Sequence, residues 1–227
     1  MRLSRCGLLG DIHAEDARLA RAIELFRATP GGVDAILFVG DVVDGEGDVD
    51  ECARLLREHG AIGVRGNHER WLLAGTMRDL PHGQRAESLS AETLALFRAL
   101  PPTRTFDTPL GNVLLCHGVD DEDMERLRPS DDELTIHDNI PFERLRRRGD
   151  VAVMMGGHTH ERMVRDFGDI VVINAGTLAR EHDEAGCVVV DFDRGRATFH
   201  RFGDDTLHED GSYPIEAGRS YVVPSRG

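Results

Sequence analysis

Asp11, His13, Asp41, Asn67, His68, His117, His158 and His160 are the residues whose types and placement could do chemistry together. Each follows a short apolar run, and open α/β sheets bind their ligands at the carboxyl ends of strands. Two carboxylates, an amide and several imidazoles make a mixed N/O donor set. Such a set suits manganese, iron, zinc or cobalt better than magnesium or calcium. Asp11-x-His13 and His158-x-His160 alternate as residues leaving a strand do, so each pair can point to one side. A single Asp after a strand usually caps a helix, and a single His is usually a surface or core residue. The shared placement of all eight is what argues for a metal centre. The densest stretch is Arg65-Gly66-Asn67-His68-Glu69, after the apolar Ala61-Ile62-Gly63-Val64 and before a helix expected from near Arg70.

The elements that must position these residues alternate. Cys6 to Gly10, Ala35 to Val39 and Ala61 to Val64 read as buried strands. Helical spacing follows the first (Leu19, Ala20, Ile23, Phe26) and the second (Cys52, Leu55, Leu56), with Thr29-Pro30-Gly31-Gly32 and Gly60 as stops. Ser90 is the expected N-cap of a helix that Pro101-Pro102 ends. Strands are expected over Thr103 to Asp107, Asn112 to Cys116, Val151 to Met155 and Ile170 to Ile173. Residues 119–149 should form short helices punctuated by Pro129 and Pro141. Cys187 to Phe192 and Arg196 to Phe202 flank the hairpin signal Asp193-Arg194-Gly195. This gives one α/β domain over 1–202 and a polar, loosely held tail over 203–227.

Composition narrows the function. The 227 residues suit one domain with a sizeable core. A net charge of −14 argues against a general nucleic-acid surface. An anionic substrate stays possible, because bound cations invert the local sign. All 27 basic residues are Arg, so P-loop and Schiff-base lysine chemistry is excluded. The four scattered cysteines, without a Cys-x-x-Cys pair, suit reduced thiols and a cytoplasmic protein. No apolar run reaches the ~20 residues of a membrane helix, and Met1 to Gly10 is too short for a signal-peptide core. The acidic loop 44–50 lacks the sixth-position glycine of an EF-hand, and no Gly-x-Ser-x-Gly elbow occurs.

Asp11-x-His13, Gly40-Asp41-x-x-Asp44, Gly66-Asn67-His68-Glu69, His117-Gly118 and Gly157-His158-Thr159-His160 resemble, in order and separation, the five blocks of the calcineurin-like metallophosphoesterase superfamily. Ile173 to Thr177 is similar to the Asn-Pro-Gly-Ser stretch of its small bacterial phosphodiesterase branch, with Ala175 for Pro and Thr177 for Ser. The resemblance implies a four-layer αββα sandwich with two mixed β-sheets. It implies two divalent ions, manganese first, with iron, zinc, cobalt or nickel as alternatives. Asp11, His13, Asp41 and His160 would hold one ion; Asp41, Asn67, His117 and His158 would hold the other, with Asp41 bridging. His68 would stabilise the transition state and protonate the leaving oxygen, oriented by Asp44 or Glu69. Arg65, Asn67 and His68 would face the substrate, and Arg180 and His182 could line the pocket. The implied activity is hydrolysis of a small phosphoester or nucleotide by a metal-bound hydroxide, phosphodiesters first. Phosphomonoesters, phosphoproteins and dinucleoside polyphosphates are the alternatives, and a scaffold that lost the chemistry comes after these.

Overall fold

A computed structural model describes residues 1–204 and 206–215, with the backbone of 221–222. The first sheet begins with β1 (Arg5–Leu9), β2 (Ala35–Phe38) and the two-residue β3 (Ile62–Gly63), all parallel. Between them run α1 (Asp16–Ala28) and α2 (Val49–Glu58), and α3 (Asn67–Ala74) and α4 (Ala91–Ala99) follow. The second sheet is built on β4 (Thr103–Thr108), β5 (Gly111–Cys116), β6 (Val153–Gly156), β7 (Met163–Asp166) and β8 (Val171–Asn174). The short helices α5 (Glu133–Asp138) and α6 (Ile140–Arg148) precede β6. The chain returns to the first sheet with β9 (Gly186–Asp191), β10 (Arg196–Gly203) and β11 (Thr206–Pro214), then adds β12 (Tyr221–Val222) to the second. The sheet orders are β11-β10-β9-β1-β2-β3 and β12-β7-β8-β6-β5-β4. Both sheets mix parallel and antiparallel pairs, as the resemblance implies.

Three apolar layers hold this arrangement. Cys6, Leu8, Leu37, Val188 and Val190 meet Val113, Leu115, Val153, Met155 and Ile173 between the sheets. The alternate residues Leu9, Ile36, Phe38, Cys187 and Val189 pack outward against α1, α2 and α4. The second sheet's outer face, with Leu114, Met154 and Val172, packs on Ile136, Phe142 and Leu145. Strands covered on both faces read as continuous apolar runs, which is why β1, β2 and β9 were plain in the sequence. On α1 the buried face is Leu19, Ala22, Ile23 and Phe26, and each large side chain buried there contributes about 1.5–3 kcal/mol.

Two expectations need correction, one strand adds to those expected, and Pro141 marks a helix boundary as expected. The loose tail placed at 203–227 is a strand over 206–214, paired along β10. Its side chains are mostly polar and none is fully buried, so hydrogen bonding to β10 rather than an apolar period makes it a strand. Gly203 ends β10, Ile215 is buried and 221–222 form β12, while 205, 216–220 and 223–227 of that tail lie outside the described residues. The strand β7 gives no strand signal in the sequence, because the half-buried Arg165 and Asp166 cut short the apolar pair Met163-Val164. α3 begins at Asn67, not Arg70, so Asn67 and His68 stand on the first helical turn. Pro141 starts α6 from within its first turn, where a missing N–H costs nothing, while Asn139 caps it by accepting the Phe142 N–H.

Candidate metal centre

The parallel strands of both sheets end at one place. Asp11 after β1 bridges to Thr177 after β8, accepting the Thr177 hydroxyl at 2.8 Å and the Leu178 N–H. His117 after β5 donates from Nδ1 to the Val39 carbonyl after β2 at 2.9 Å. The Gly157 N–H donates to the His117 carbonyl, and Asn174 Nδ2 donates to the Gly157 carbonyl and the Thr159 hydroxyl. Asn174 and Thr177 therefore hold the ends of β1 and β6 in place. In the sequence they stand only in the stretch where Ala175 and Thr177 depart from the Pro and Ser of the bacterial branch.

The turns are strained where the polar side chains sit. His13 (φ 46°), Asp41 (47°), Asp44 (68°), His158 (66°) and His160 (60°) all adopt the left-handed conformation. Asp and His tolerate that region better than most residues, yet each instance costs roughly 1–3 kcal/mol and needs support from its surroundings. Glu69 supplies much of the support. Fully buried, it accepts the N–H groups of Asp41 (2.9 Å), Val42 (2.6 Å), Val43 (3.3 Å) and Gly66 (2.9 Å). Burial and then the neighbouring Asp41 charge push its carboxyl up to about 7 against the pull of these amides. Gly66 leaves room for Asp41: a Cβ there would lie 2.1 Å from Asp41 Oδ1.

Asp11, His13 and His160 form the first cluster. His13 donates from Nδ1 to the Asp44 carbonyl at 2.9 Å, which leaves a lone pair on Nε2. That atom faces His160 Nε2 at 3.1 Å, and the other ring nitrogen of His160 meets His182 Nε2 at 3.0 Å. Asp11 Oδ2 lies 3.0 Å from His160 Nε2 in an ion-pair approach, but it is buried without a hydrogen bond. Burial pushes the Asp11 carboxyl up, and His160 and His117 outweigh it to hold the group low. Two ring nitrogens and a buried carboxylate this close need a shared proton or a cation between them.

Asp41, His117 and His158 form the second cluster, and Asn67 joins it. With Nδ1 committed to Val39, His117 Nε2 faces Asn67 Oδ1 at 2.8 Å and Asp41 Oδ2 at 3.2 Å. Burial pulls His117 down, but Asp41 and Asp11 outweigh it and raise the ring to about 10. A proton there does what a bound cation would do. Burial and the His117 charge push His158 down to about 4, while Arg126 Nε donates to His158 Nε2 at 3.2 Å. Asp41 also groups with His13 and His68, so it stands between the two clusters. The donor types, the orphaned Asp11 oxygen and the converging ring nitrogens fit divalent cations.

His68 is held differently. Its Nδ1 is 2.8 Å from Asp44 Oδ2, and its Nε2 is 3.9 Å from Asp41 Oδ2. Of the two acids proposed to orient it, Asp44 makes the contact. Glu69 does not, because its carboxylate is spent on the four amides. His68 lines a cavity of about 470 Å³ with His13, Asp44, Glu46, His160 and Arg180. Arg180 is tied by its N–H and guanidinium to Glu15, and His182 lies behind His160. Arg65 lies elsewhere, in a cavity of about 340 Å³ beside Arg70, His117 and Asp123. Arg126 carried no motif signal, and only the folded contact with His158 reveals it.

Two mixed sheets whose strand ends converge on Asp, Asn and His donors are the arrangement of a metal-dependent phosphoester hydrolase. The family model for calcineurin-like phosphoesterases matches residues 4–162, well over half of the sequence, and the chain belongs to that family. Among solved structures, it is similar to a metallophosphoesterase from Sphaerobacter thermophilus at 21% identity, covering 88% of each chain with a TM-score of 0.66. It is similar to Yfce, a phosphoesterase from E. coli, at 18% identity over 93% of this chain and 100% of that one, TM-score 0.57. A novel archaeal phosphodiesterase shares 15% identity over 87% and 99%, TM-score 0.55. At these identities the likeness concerns the fold. No curated protein matches the sequence significantly.

Proposed function

We propose that the protein hydrolyses a small phosphodiester with two divalent ions, manganese first. Asp11, His13, Asp41 and His160 hold one ion, and Asp41, Asn67, His117 and His158 hold the other. The observation that carries this is the convergence of His13 Nε2, His160 Nε2 and the unpartnered Asp11 Oδ2 on one point, next to Asp41 and the His117 group. Bound there, divalent cations supply positive charge against the phosphoryl oxygens and activate water for attack on phosphorus. His68, tied to Asp44 through Nδ1, keeps its Nε2 for the leaving oxygen, which takes a proton from it.

The preference for a diester rests on space. A diester phosphorus carries two ester substituents, and a cavity opens on each side of the centre. One runs along His13, His68 and His160, and the other touches His117 beside Arg65. A planar guanidinium suits a phosphate oxygen there. A monoester needs only one of these spaces and is the second choice.

Purified protein reloaded with manganese should turn over bis-p-nitrophenyl phosphate faster than p-nitrophenyl phosphate, with two metals per chain by elemental analysis. Faster monoester turnover would reverse the substrate order. Tightly bound metal with no turnover of any phosphoester would favour the binding scaffold.

A further inference from the structure

Asp44 orients His68, yet something must orient Asp44. Its carboxylate is 2% exposed and accepts from four groups among the described residues. One is His68 Nδ1. The other three come from the segment between α3 and α4: Arg78 Nη1 to Oδ1 (2.9 Å), Arg78 Nη2 to Oδ2 (3.0 Å) and Gln84 N to Oδ1 (2.9 Å). The Asp44 backbone, strained at φ 68°, is caught by the same segment. Its N–H donates to Gln84 Oε1 at 2.6 Å, and Gln84 Nε2 donates to the Gly45 carbonyl. Arg78 also braces its own loop, donating to the Thr76 and Gln84 carbonyls at 2.8 Å each. Its side chain is 7% exposed, so this guanidinium is no solvated surface charge. A planar fork that meets both oxygens of a carboxylate fixes its rotation as well as its place.

We propose that Arg78, assisted by Gln84, is the positioning residue for His68, acting through Asp44. The loop over 76–85 thus sets the geometry of the acid. The same loop carries Leu80, Pro81 and His82 into the wall of the cavity that His68 lines. The wall that receives the leaving alcohol and the brace of the group that protonates it are therefore built on one segment. This inference rests on the phosphoesterase reading for its kinetic consequence but not for its structural one.

The test compares wild type, Arg78→Ala and Arg78→Lys as full-length, zinc-loaded protein. The substrates are diesters whose alcohol leaving groups are graded in pKa, with p-nitrophenolate at the acidic end. Arg78→Ala should lose about 10- to 100-fold in kcat for poor leaving groups and far less for p-nitrophenolate, which departs without a proton. Zinc content should not change, and added guanidinium should restore part of the rate. Arg78→Lys keeps the charge without the fork and should fall between the two. By ¹⁵N NMR, His68 should be the doubly protonated imidazolium at acidic pH, the form that gives a proton. On deprotonation it should lose the Nε2 proton and keep the one on Nδ1 in wild type, and give a mixture of tautomers in Arg78→Ala. Equal loss for every leaving group, or a change confined to KM with the His68 tautomer intact, would reduce Arg78 to a loop brace. If wild type turned over no phosphoester, the hydrolase reading would fall, and the tautomer comparison would still decide the positioning role.

Discussion

His13 and His160 stand at the floor of an open cavity, with 22% of the His160 side chain exposed, whereas His117 is wholly sealed. The outer nitrogens differ in the same way. His117 Nδ1 is tied to a backbone carbonyl at the end of β2, and that carbonyl is as rigid as the sheet. His160 instead meets another imidazole, His182, on the segment that follows β8. Each cluster has one half-buried histidine, His160 in the open one and His158 in the other. The sealed cluster therefore owes its character to His117: removing His117 strands the buried Asp41 charge, which costs about 3–5 kcal/mol when nothing replaces the partner. In the open cluster water can enter. The comparison predicts two sites of unequal strength: graded chelation should remove one metal before the other, and the open cluster should empty first.

The sharpest way to break this comparison is Asp41→Asn, since Asp41 belongs to groups on both sides. The expected outcome is loss of metal from both clusters and of all phosphoesterase activity. Elemental analysis that still found two metals per chain would remove Asp41 from its place between them. His68→Ala comes next. It should retain both metals and lose about 10²–10⁴-fold in rate toward alcohol leaving groups, with a smaller loss toward p-nitrophenolate. An equal loss for both would count against the acid role.

What could be read in advance divides along the same line. Donor residues were legible because their types are tied to chemistry and because strands covered on both faces leave continuous apolar runs in front of them. The contacts that hold those donors were not legible. Val39 lies 78 residues from His117, and Asp44 lies 24 from His68. No periodicity encodes such pairs. Glu69 shows why adjacency misled. Successive helical residues project about 100° apart, so His68 faces the cavity while Glu69 turns inward to the amides of 41–43. β11 was missed for a related reason: its partner β10, not its own composition, makes it a strand.

His182→Ala sharpens the comparison at a smaller scale. Losing the group that fixes an outer nitrogen typically costs 10–100-fold in metal affinity. The loss should be confined to the weaker site in a competition titration, and His182→Gln, which keeps an acceptor, should recover part of it. If both sites weakened equally, the two clusters would not be independent in the way their geometry suggests.

Arg180→Ala should have the smallest effect. Glu15 is buried, and Arg180 caps it with its N–H and guanidinium, but half of the Arg180 side chain reaches solvent. Screening leaves such a pair about 1 kcal/mol, which for a chain of this size is a fall of about 2–4 °C in Tm. The pair ties the start of α1 to the segment that carries His182. The variant should therefore also loosen the open cluster slightly, and the sealed one not at all. Thermal unfolding of the metal-free and metal-loaded forms separates these contributions. Arg180 belongs to the scaffold of the open cluster if metal recovers less stability in the variant than in wild type, and it is only a surface tie if both recover the same amount.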